Sequence, residues 1–155
     1  MTTASRTATV IPTQSRKVDQ LLAHYGESHQ HPRNELIHFI AIPLIMLSLL
    51  GMMFALHPYL AYAFIAASML YYLRLSLLFT FSMGICSLLA LALVWAMGPR
   101  LLPVSIAIFA GAWVMQFIGH KIEGKKPSFF EDLQYLWVGP LFVLAKLFDK
   151  VGIRW

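Results

Sequence analysis

Two histidine-bearing segments bracket a long and nearly uncharged stretch of this chain. The first segment contains His29 and His38, and the second contains His120. Neutral imidazole is the commonest metal ligand among side chains, and histidine is the usual proton carrier near neutral pH. Imidazoles at both ends of an apolar block therefore predict a shared metal site, on the condition that the fold brings the two ends together.

The charge distribution indicates an integral membrane protein. The 155-residue sequence is 59% hydrophobic and 12% charged, whereas ordinary soluble domains are about 25% charged. Between Leu36 and His120 the only formal charges are Arg74 and Arg100, and all seven carboxylates lie outside this block. Uncharged runs of this length exceed the roughly 20 residues that cross a bilayer. The net charge of +5 is then assigned to residues that flank membrane spans, and it does not indicate nucleic-acid binding.

The apolar block predicts an all-α membrane bundle with about four transmembrane helices. His57-Pro58 and Gly98-Pro99 are natural breaks between helices, and the long run between them is divided at its only charge, Arg74. Pro43 lies inside the first span and predicts a kink there. The predicted spans are Leu36–Leu56, Tyr59–Leu73, Leu75–Met97 and Val104–Ile118.

The segments outside the apolar block predict a polar tail and two shorter helical regions. Residues 1–15 are expected to be a disordered tail, and residues 16–155 to form a single domain. Residues 16–28 place apolar side chains at helical spacing. Ser128 and Glu131 have the spacing of a capping box, which predicts a helix that Gly139-Pro140 then interrupts. This C-terminal region is interpreted as an interfacial or re-entrant helix, with a fifth span as the alternative.

The distribution of basic residues predicts the orientation of the chain in the membrane. With four crossings, Arg100 lies alone on one side, and the positive-inside rule puts both termini in the cytoplasm. His38 and His120 would then lie near the same cytoplasmic surface, whereas three crossings would separate them. The basic residues of the cytoplasmic side would be Arg16, Lys17, Arg33, Arg74, Lys121, Lys125 and Lys126.

Each histidine also has an ordinary interpretation as an interfacial side chain bonded to backbone or to lipid head groups. Ionisable groups at membrane depth are costly, and they usually serve a function or find a partner. Three histidines that converge on one membrane face favour a metal site over this alternative. His31, which precedes Pro32, is a secondary candidate for metal ligation.

Other polar residues beside the two segments have two interpretations each. Glu123 has ligand spacing from His120 on a continuous helix, or it pairs with a neighbouring lysine. Asn34 is a helix cap, or it orients an imidazole. Lys125 and Lys126 are membrane anchors, or they hold an anionic head group beside a metal.

Both histidine segments continue into longer motifs. They read His29-x-x-Pro32-x-Asn34-x-x-x-His38, continuing to Pro43, and Gln116-Phe-x-Gly119-His120, followed by Lys125-Lys126-Pro127. Together these motifs resemble the Mpo1-like family of membrane 2-hydroxy fatty acid dioxygenases, and the resemblance extends from about Leu21 to Phe148.

The resemblance implies an iron(II)-dependent enzyme that cleaves a 2-hydroxy fatty acid with O₂ to the fatty acid one carbon shorter. His29, His38 and His120 would be the iron ligands, and Gln116 would bind substrate or orient a ligand, as would Asn34, Lys125 and Lys126. Neutral imidazoles suit iron and leave coordination positions open. The apolar spans would house the lipid tail.

Two alternatives stay open at the level of sequence. One is a different histidine-metal membrane enzyme that acts on lipids, such as a hydroxylase or a zinc hydrolase. The other is a non-enzymatic multi-span protein. The expected location is a bacterial inner membrane, or the endoplasmic reticulum membrane if the chain is eukaryotic, and the oligomeric state is not predicted.

Overall fold

The computed structural model describes residues 15–124 and 135–155, and within these ranges the protein is helical with no strand. The all-α prediction is therefore confirmed. The helices are α1 (Lys17–Gly26), α2 (Pro32–Leu56), α3 (Pro58–Leu73), α4 (Leu77–Ala96), α5 (Leu101–Glu123) and α6 (Val138–Val151), with a 3-10 turn at Gly98–Arg100 before α5.

The helix boundaries follow from residues that begin and end helices. Pro32 and Pro58 occupy the first turns of α2 and α3, where a missing amide hydrogen costs no hydrogen bond. Gly124 ends α5 in the left-handed conformation at φ 74°, which glycine adopts without a steric penalty. The predicted break at Arg74 is confirmed, because Arg74 caps the end of α3. Pro43 lies within α2, which is helical on both sides of it.

The first and fourth predicted spans are longer in the structure than in the prediction. Helix α2 begins at Pro32, about one turn before the predicted start. Helix α5 extends from Leu101 to Glu123, beyond the predicted end at Ile118. Both extensions contain polar residues that hydropathy leaves out of a span. They place Asn34 and His120 on helices rather than in loops.

Helices α2 and α5 form an antiparallel pair that defines two ends of the bundle. At one end the rings of His38 and His120 have centroids 5.0 Å apart; we call this the histidine end. At the opposite end, the far end, a Cβ on Gly51 would collide with Oγ of Ser105. At the histidine end, a Cβ on Gly119 would collide with a side chain of α2 in the same way. Glycine at both positions therefore lets the two helices approach closely along their length.

Helices α3 and α4 run between the same two ends. The start of α3 and the end of α4 pack with Leu50 and Leu101 at the far end through Ala61 and Val94. The end of α3 and the start of α4 belong to another buried cluster, which includes Tyr72, Phe79 and residues of α1 and α6. The chain therefore reverses direction at each connection from α2 to α5.

Three helices are long and apolar enough to cross a membrane by length and composition: α2, α4, and the segment Gly98–Glu123 that contains α5. Their outer surfaces support this reading, because Leu77 and Trp95 of α4 are 75% and 79% exposed. Helix α3 has 16 residues, about 24 Å at 1.5 Å per residue, against about 30 Å of hydrocarbon. Four crossings therefore stay a prediction, although α3 does return the chain between the two ends of the bundle.

Helix α6 packs across the histidine end. It contacts α1 through a cluster in which Leu141 and Phe142 meet Leu22 and Tyr25. Gly139-Pro140 lie in the first turn of α6, and turn residues 135–137 precede that helix, so the structure has the break a few residues before the predicted position. The physical reason is that amides of a first helical turn have no partner within the helix, so proline is tolerated there. The predicted capping box at Ser128 and Glu131 lies outside the described residues, as does nearly all of the predicted tail.

Candidate metal centre

Three histidines from three parts of the chain meet at the histidine end. His29 lies in the connection between α1 and α2, His38 in the second turn of α2, and His120 in the last turn of α5. Their side chains are buried, with 4%, 0% and 6% of their surface exposed. The structure thus brings together the three residues that the sequence nominated as primary metal ligands.

The three imidazoles are close enough to share one ion. The ring centroids of His29 and His38 are 4.2 Å apart, and those of His29 and His120 are 5.9 Å apart. One ligand nitrogen from each ring can be chosen so that all three lie within 4.8 Å of one another. Among the described residues, no other group of three or more His, Cys, Asp or Glu side chains has such spacing.

Backbone carbonyls determine which nitrogen carries the hydrogen in two of the rings. Nδ1 of His29 lies 2.8 Å from the carbonyl oxygen of Tyr25, and Nδ1 of His38 lies 3.0 Å from that of Asn34. A carbonyl can only accept, so each Nδ1 carries the hydrogen and donates it. The lone pair of each neutral ring is then on Nε2. Donation of the second ring N–H to a carbonyl is the usual arrangement behind a metal-binding histidine, so this pair of residues fits a divalent metal.

Two neighbouring aromatic rings pack against His29. The ring of Tyr25 stacks on it with centroids 4.3 Å apart and planes 15° from parallel. Phe142 of α6 lies at 5.7 Å on a tilted plane. Because His29 belongs to a connecting segment rather than a helix, this packing restricts an imidazole that would otherwise rotate. Tyr25 is a site residue that sequence reasoning missed, although its spacing of four residues from His29 was a usable signal.

The carboxylate of Glu123 joins the end of α5 to the start of α2. Its two oxygens accept hydrogen bonds from the backbone N–H groups of Gln30 and His31, each at 3.0 Å, and from Nδ2 of Asn34 at 2.9 Å. We call this set of three hydrogen bonds the Glu123 clasp. A negative charge here also interacts favourably with the partial positive charge at the N-terminus of α2.

The Glu123 clasp positions the three histidines relative to one another. Glu123 lies three residues after His120, and Gln30 directly follows His29. The clasp therefore fixes the distance between the segment of His29 and the helix end of His120. Asn34 adds a hydrogen bond from Nδ2 to the backbone carbonyl of Ser28 at 3.3 Å. The backbone carbonyl of Asn34 accepts the hydrogen bond from Nδ1 of His38. In the structure the carboxylate of Glu123 accepts these three hydrogen bonds. Metal ligation by Glu123 stays a prediction.

The other predicted site residues are distributed as follows. The cap of α2 is His31 rather than Asn34, because Nδ1 of His31 accepts the N–H of Arg33 at 3.2 Å. The ring of His31 is exposed and lies outside the three-histidine cluster. Lys125 and Lys126 lie outside the described residues.

Gln116 is buried one helical turn before His120, with 3% of its surface exposed. Among the described residues, no donor reaches its Oε1. Gln116 lines a cavity of about 80 Å³ together with Tyr25 and Ile42. A larger apolar groove of about 340 Å³ adjoins this cavity, sharing Ile42 and Met46 with it, and extends along α2 against α3, α4 and α6.

These features define a helical membrane protein with a buried three-histidine centre at one end of its bundle. A model of the family described as "2-hydroxy-palmitic acid dioxygenase Mpo1-like" matches residues 15–151. The chain therefore belongs to the Mpo1-like family, as its motifs had indicated.

One curated relative is named for the activity that the family description gives. The chain is 28% identical over 138 residues to the 2-hydroxy-palmitic acid dioxygenase MPO1 of Saccharomyces cerevisiae, and the match covers 84% of this chain and 79% of the yeast protein. No solved structure matches the chain.

Proposed function

We propose that this protein is an iron(II)-dependent dioxygenase that cleaves a 2-hydroxy fatty acid with O₂. The product is the fatty acid one carbon shorter, and the atoms balance when the lost carboxyl carbon leaves as carbon dioxide together with one water. The observation that carries the proposal is the meeting of His29, His38 and His120 in one buried cluster. Membership of the Mpo1-like family supports the choice of reaction.

The donor set supports iron as the metal. Three imidazoles would bind it and leave coordination positions open, a pattern of ligands that suits divalent iron. When bound, iron(II) would supply the O₂ chemistry and a site for the polar end of the substrate. The carbonyls of Tyr25 and Asn34 accept the Nδ1 hydrogens of two histidines, which leaves Nε2 of each ring as the nitrogen that would bind the metal.

The position of the cluster suits an amphipathic substrate. The centre is at one end of an apolar bundle, where the head group of a fatty acid meets water while its tail stays in hydrocarbon. By the distribution of basic residues, this end faces the cytoplasm, and Lys125 or Lys126 would neutralise the substrate carboxylate. Burial of the three rings keeps bulk water away from the reacting end.

Product analysis and metal analysis test this proposal together. Protein purified without oxygen is expected to contain about one iron per chain and to convert 2-hydroxyhexadecanoic acid to pentadecanoic acid when O₂ is admitted. Replacing His38 or His120 with alanine should abolish both iron retention and product. The matched control is His57→Ala, which removes an exposed histidine that caps α3 at the far end.

Two results would overturn the proposal. Wild-type protein that holds iron yet leaves the 2-hydroxy acid intact would exclude the reaction. Equal product formation by His38→Ala and wild type would exclude the three-histidine centre as its site. Zinc in place of iron, with hydrolysis of a lipid ester, would instead support the other class of metal enzyme.

A further inference from the structure

The cavity that contains Gln116 is lined by a residue close in sequence to each of the three clustered histidines. Tyr25 and Gln116 each precede a clustered histidine by four residues, and Ile42 follows His38 by four. Gln116 and Ile42 therefore lie about one helical turn from His120 and His38 on the same helix face, and Tyr25 stacks directly on His29. Each of the three histidine-bearing segments thus contributes one neighbouring side chain to this cavity.

The same cavity continues away from the histidine end between α2 and α5. Gln116, Trp113 and Phe109 follow one face of α5, over seven residues or about 10 Å of helix. Ile42, Ile45 and Leu49 follow the facing side of α2 with the same spacing. Beyond Gln116 the lining side chains are hydrophobic apart from the indole nitrogen of Trp113, so the cavity is more polar next to the histidines and more hydrophobic further into the bundle.

The carboxamide of Gln116 lacks one hydrogen bond within this cavity. Its Oε1 is buried and accepts none from the described residues. A buried acceptor without a donor costs free energy, and such groups are uncommon in folded proteins. A carbonyl oxygen of this kind requires a donor, which a carboxylate lacks and a hydroxyl group has.

We infer that this cavity binds the hydroxylated end of the acyl chain and that Gln116 recognises the hydroxyl group through a hydrogen bond. Oε1 of Gln116 accepts the hydrogen of the C2 hydroxyl, and the apolar faces of α2 and α5 contact the methylenes that follow. The inference rests on the proposed function for the identity of the ligand. It adds a specificity-determining residue and a direction for the tail, toward Leu49 and Phe109.

Ligand binding to metal-depleted protein tests the inference without using turnover. Removing the metal with a chelator ensures that a metal–hydroxyl contact adds nothing to the result. Calorimetric titration in non-ionic detergent compares 2-hydroxyhexadecanoic acid with hexadecanoic acid. Wild type should bind the hydroxy acid about tenfold more tightly, the size expected of one buried hydrogen bond.

Variants at Gln116 assign that preference to its oxygen. Gln116→Met keeps the length of the side chain and removes the acceptor, so the preference should fall to about twofold or less. Gln116→Glu keeps an acceptor oxygen and should retain the preference, even if both acids bind more weakly. Ser48→Ala is the matched control, since Ser48 is a buried hydroxyl on α2 bonded to the carbonyl of Ile45. Cobalt(II) binding by each variant verifies that the histidine cluster is intact.

A second variant tests the direction of the tail. Leu49→Trp fills the deeper part of the cavity, so it should weaken binding of 2-hydroxyhexadecanoic acid at least fivefold and leave 2-hydroxybutanoic acid unaffected. The inference is overturned if wild type shows no preference for the hydroxy acid, or if Gln116→Met retains it. A preference that depends on Gln116 in a protein without dioxygenase activity would uphold the inference and reject the proposed function.

Discussion

The two ends of the α2–α5 pair use the same packing device with different chemistry around it. At the far end Gly51 meets Ser105 and Leu101, and the neighbouring cluster is apolar. At the histidine end Gly119 meets Asn34 and His38. Close approach of two helices therefore needs only a glycine, and it does not explain buried imidazoles. The polar groups of the histidine end require another reason, and the proposed metal with its ligand network would supply one.

Helix caps show the same contrast. At the far end His57 caps α3 alone, with its Nδ1 accepting the N–H of Tyr59 at 3.4 Å. At the histidine end the start of α2 is bound both by its own cap and by the carboxylate of Glu123 from another helix. The second arrangement joins distant parts of the chain, so its loss should affect the site and not only the helix.

The largest effect is expected from breaking the Glu123 clasp. Glu123→Ala should raise the dissociation constant for cobalt(II) by about 10- to 100-fold, because residues that orient metal ligands have effects of this size. Glu123→Gln keeps one carbonyl acceptor, so its dissociation constant for cobalt(II) should lie between those of wild type and Glu123→Ala. Titration of metal-depleted protein, followed by absorption of bound cobalt(II), measures the change.

The control for the Glu123 clasp is the cap at the far end. His57→Ala should destabilise the protein by about 1 kcal/mol through the lost cap, with an unchanged cobalt(II) affinity. A Glu123→Ala variant that binds cobalt(II) as tightly as wild type would show that the clasp has no part in positioning the histidines.

The two glycines should separate stability from metal binding. Gly119→Ala and Gly51→Ala each introduce a Cβ into a close helix contact, and overpacking costs about 1–3 kcal/mol. Both variants should therefore lower the thermal unfolding midpoint. Only Gly119→Ala should also weaken cobalt(II) binding, by several-fold, since its Cβ displaces Asn34 and His38.

A double variant gives the matched control at the far end. Ser105→Ala removes the Oγ that a Cβ at Gly51 would meet, so it should restore part of the stability lost in Gly51→Ala. If Gly51→Ala weakened cobalt(II) binding as much as Gly119→Ala, the distinction between the two ends would fail.

The smallest effect is expected at the two stacked histidine–tyrosine pairs. Tyr25 stacks on His29 at the histidine end, and Tyr59 stacks on His57 at the far end with centroids 5.3 Å apart. Tyr25→Leu should weaken cobalt(II) binding about two- to fivefold, since an aromatic pair contributes about 0.5–1.5 kcal/mol beyond its buried area. Tyr25→Phe keeps the stack and should match wild type, as should Tyr59→Leu. A loss in Tyr25→Phe would assign the effect to the phenol hydroxyl instead.

The sequence predicted the fold class, the helix breaks and the three clustered histidines. Arg74, His57-Pro58 and Gly98-Pro99 divide the apolar block because charge and proline act locally on the backbone. The shift of the predicted break from Gly139-Pro140 to residues 135–137 has a local cause too, since a Gly-Pro pair is compatible with the end of one helix or with the first turn of the next. Residues 125–134, which include Lys125 and Lys126, lie outside the described structure, so those assignments stay predictions.

The roles of Glu123, Asn34, Gly119 and Gln116 were not derivable from spacing. Each depends on how α2 and α5 lie against each other, a packing that brings together residues such as Asn34 and Glu123, which are 89 positions apart in sequence. Sequence spacing relates residues within one helix, and it leaves the contacts between helices undetermined. Spacing alone therefore left Glu123 as a secondary ligand candidate or the partner of a lysine, and in the structure its oxygens accept hydrogen bonds from the start of α2.

Composition and motifs by themselves determined that this chain is an all-helical membrane protein of the Mpo1-like family with three histidines set apart from the rest. Those properties are local or additive, because hydropathy sums along a segment and a motif occupies fixed positions. Only the tertiary structure decided that the three imidazoles meet, which ring nitrogens donate to carbonyls, and that a polar-to-apolar cavity leads from them into the bundle. Such arrangements arise from the antiparallel packing of α2 on α5, in which every contact depends on the relative position of both helices.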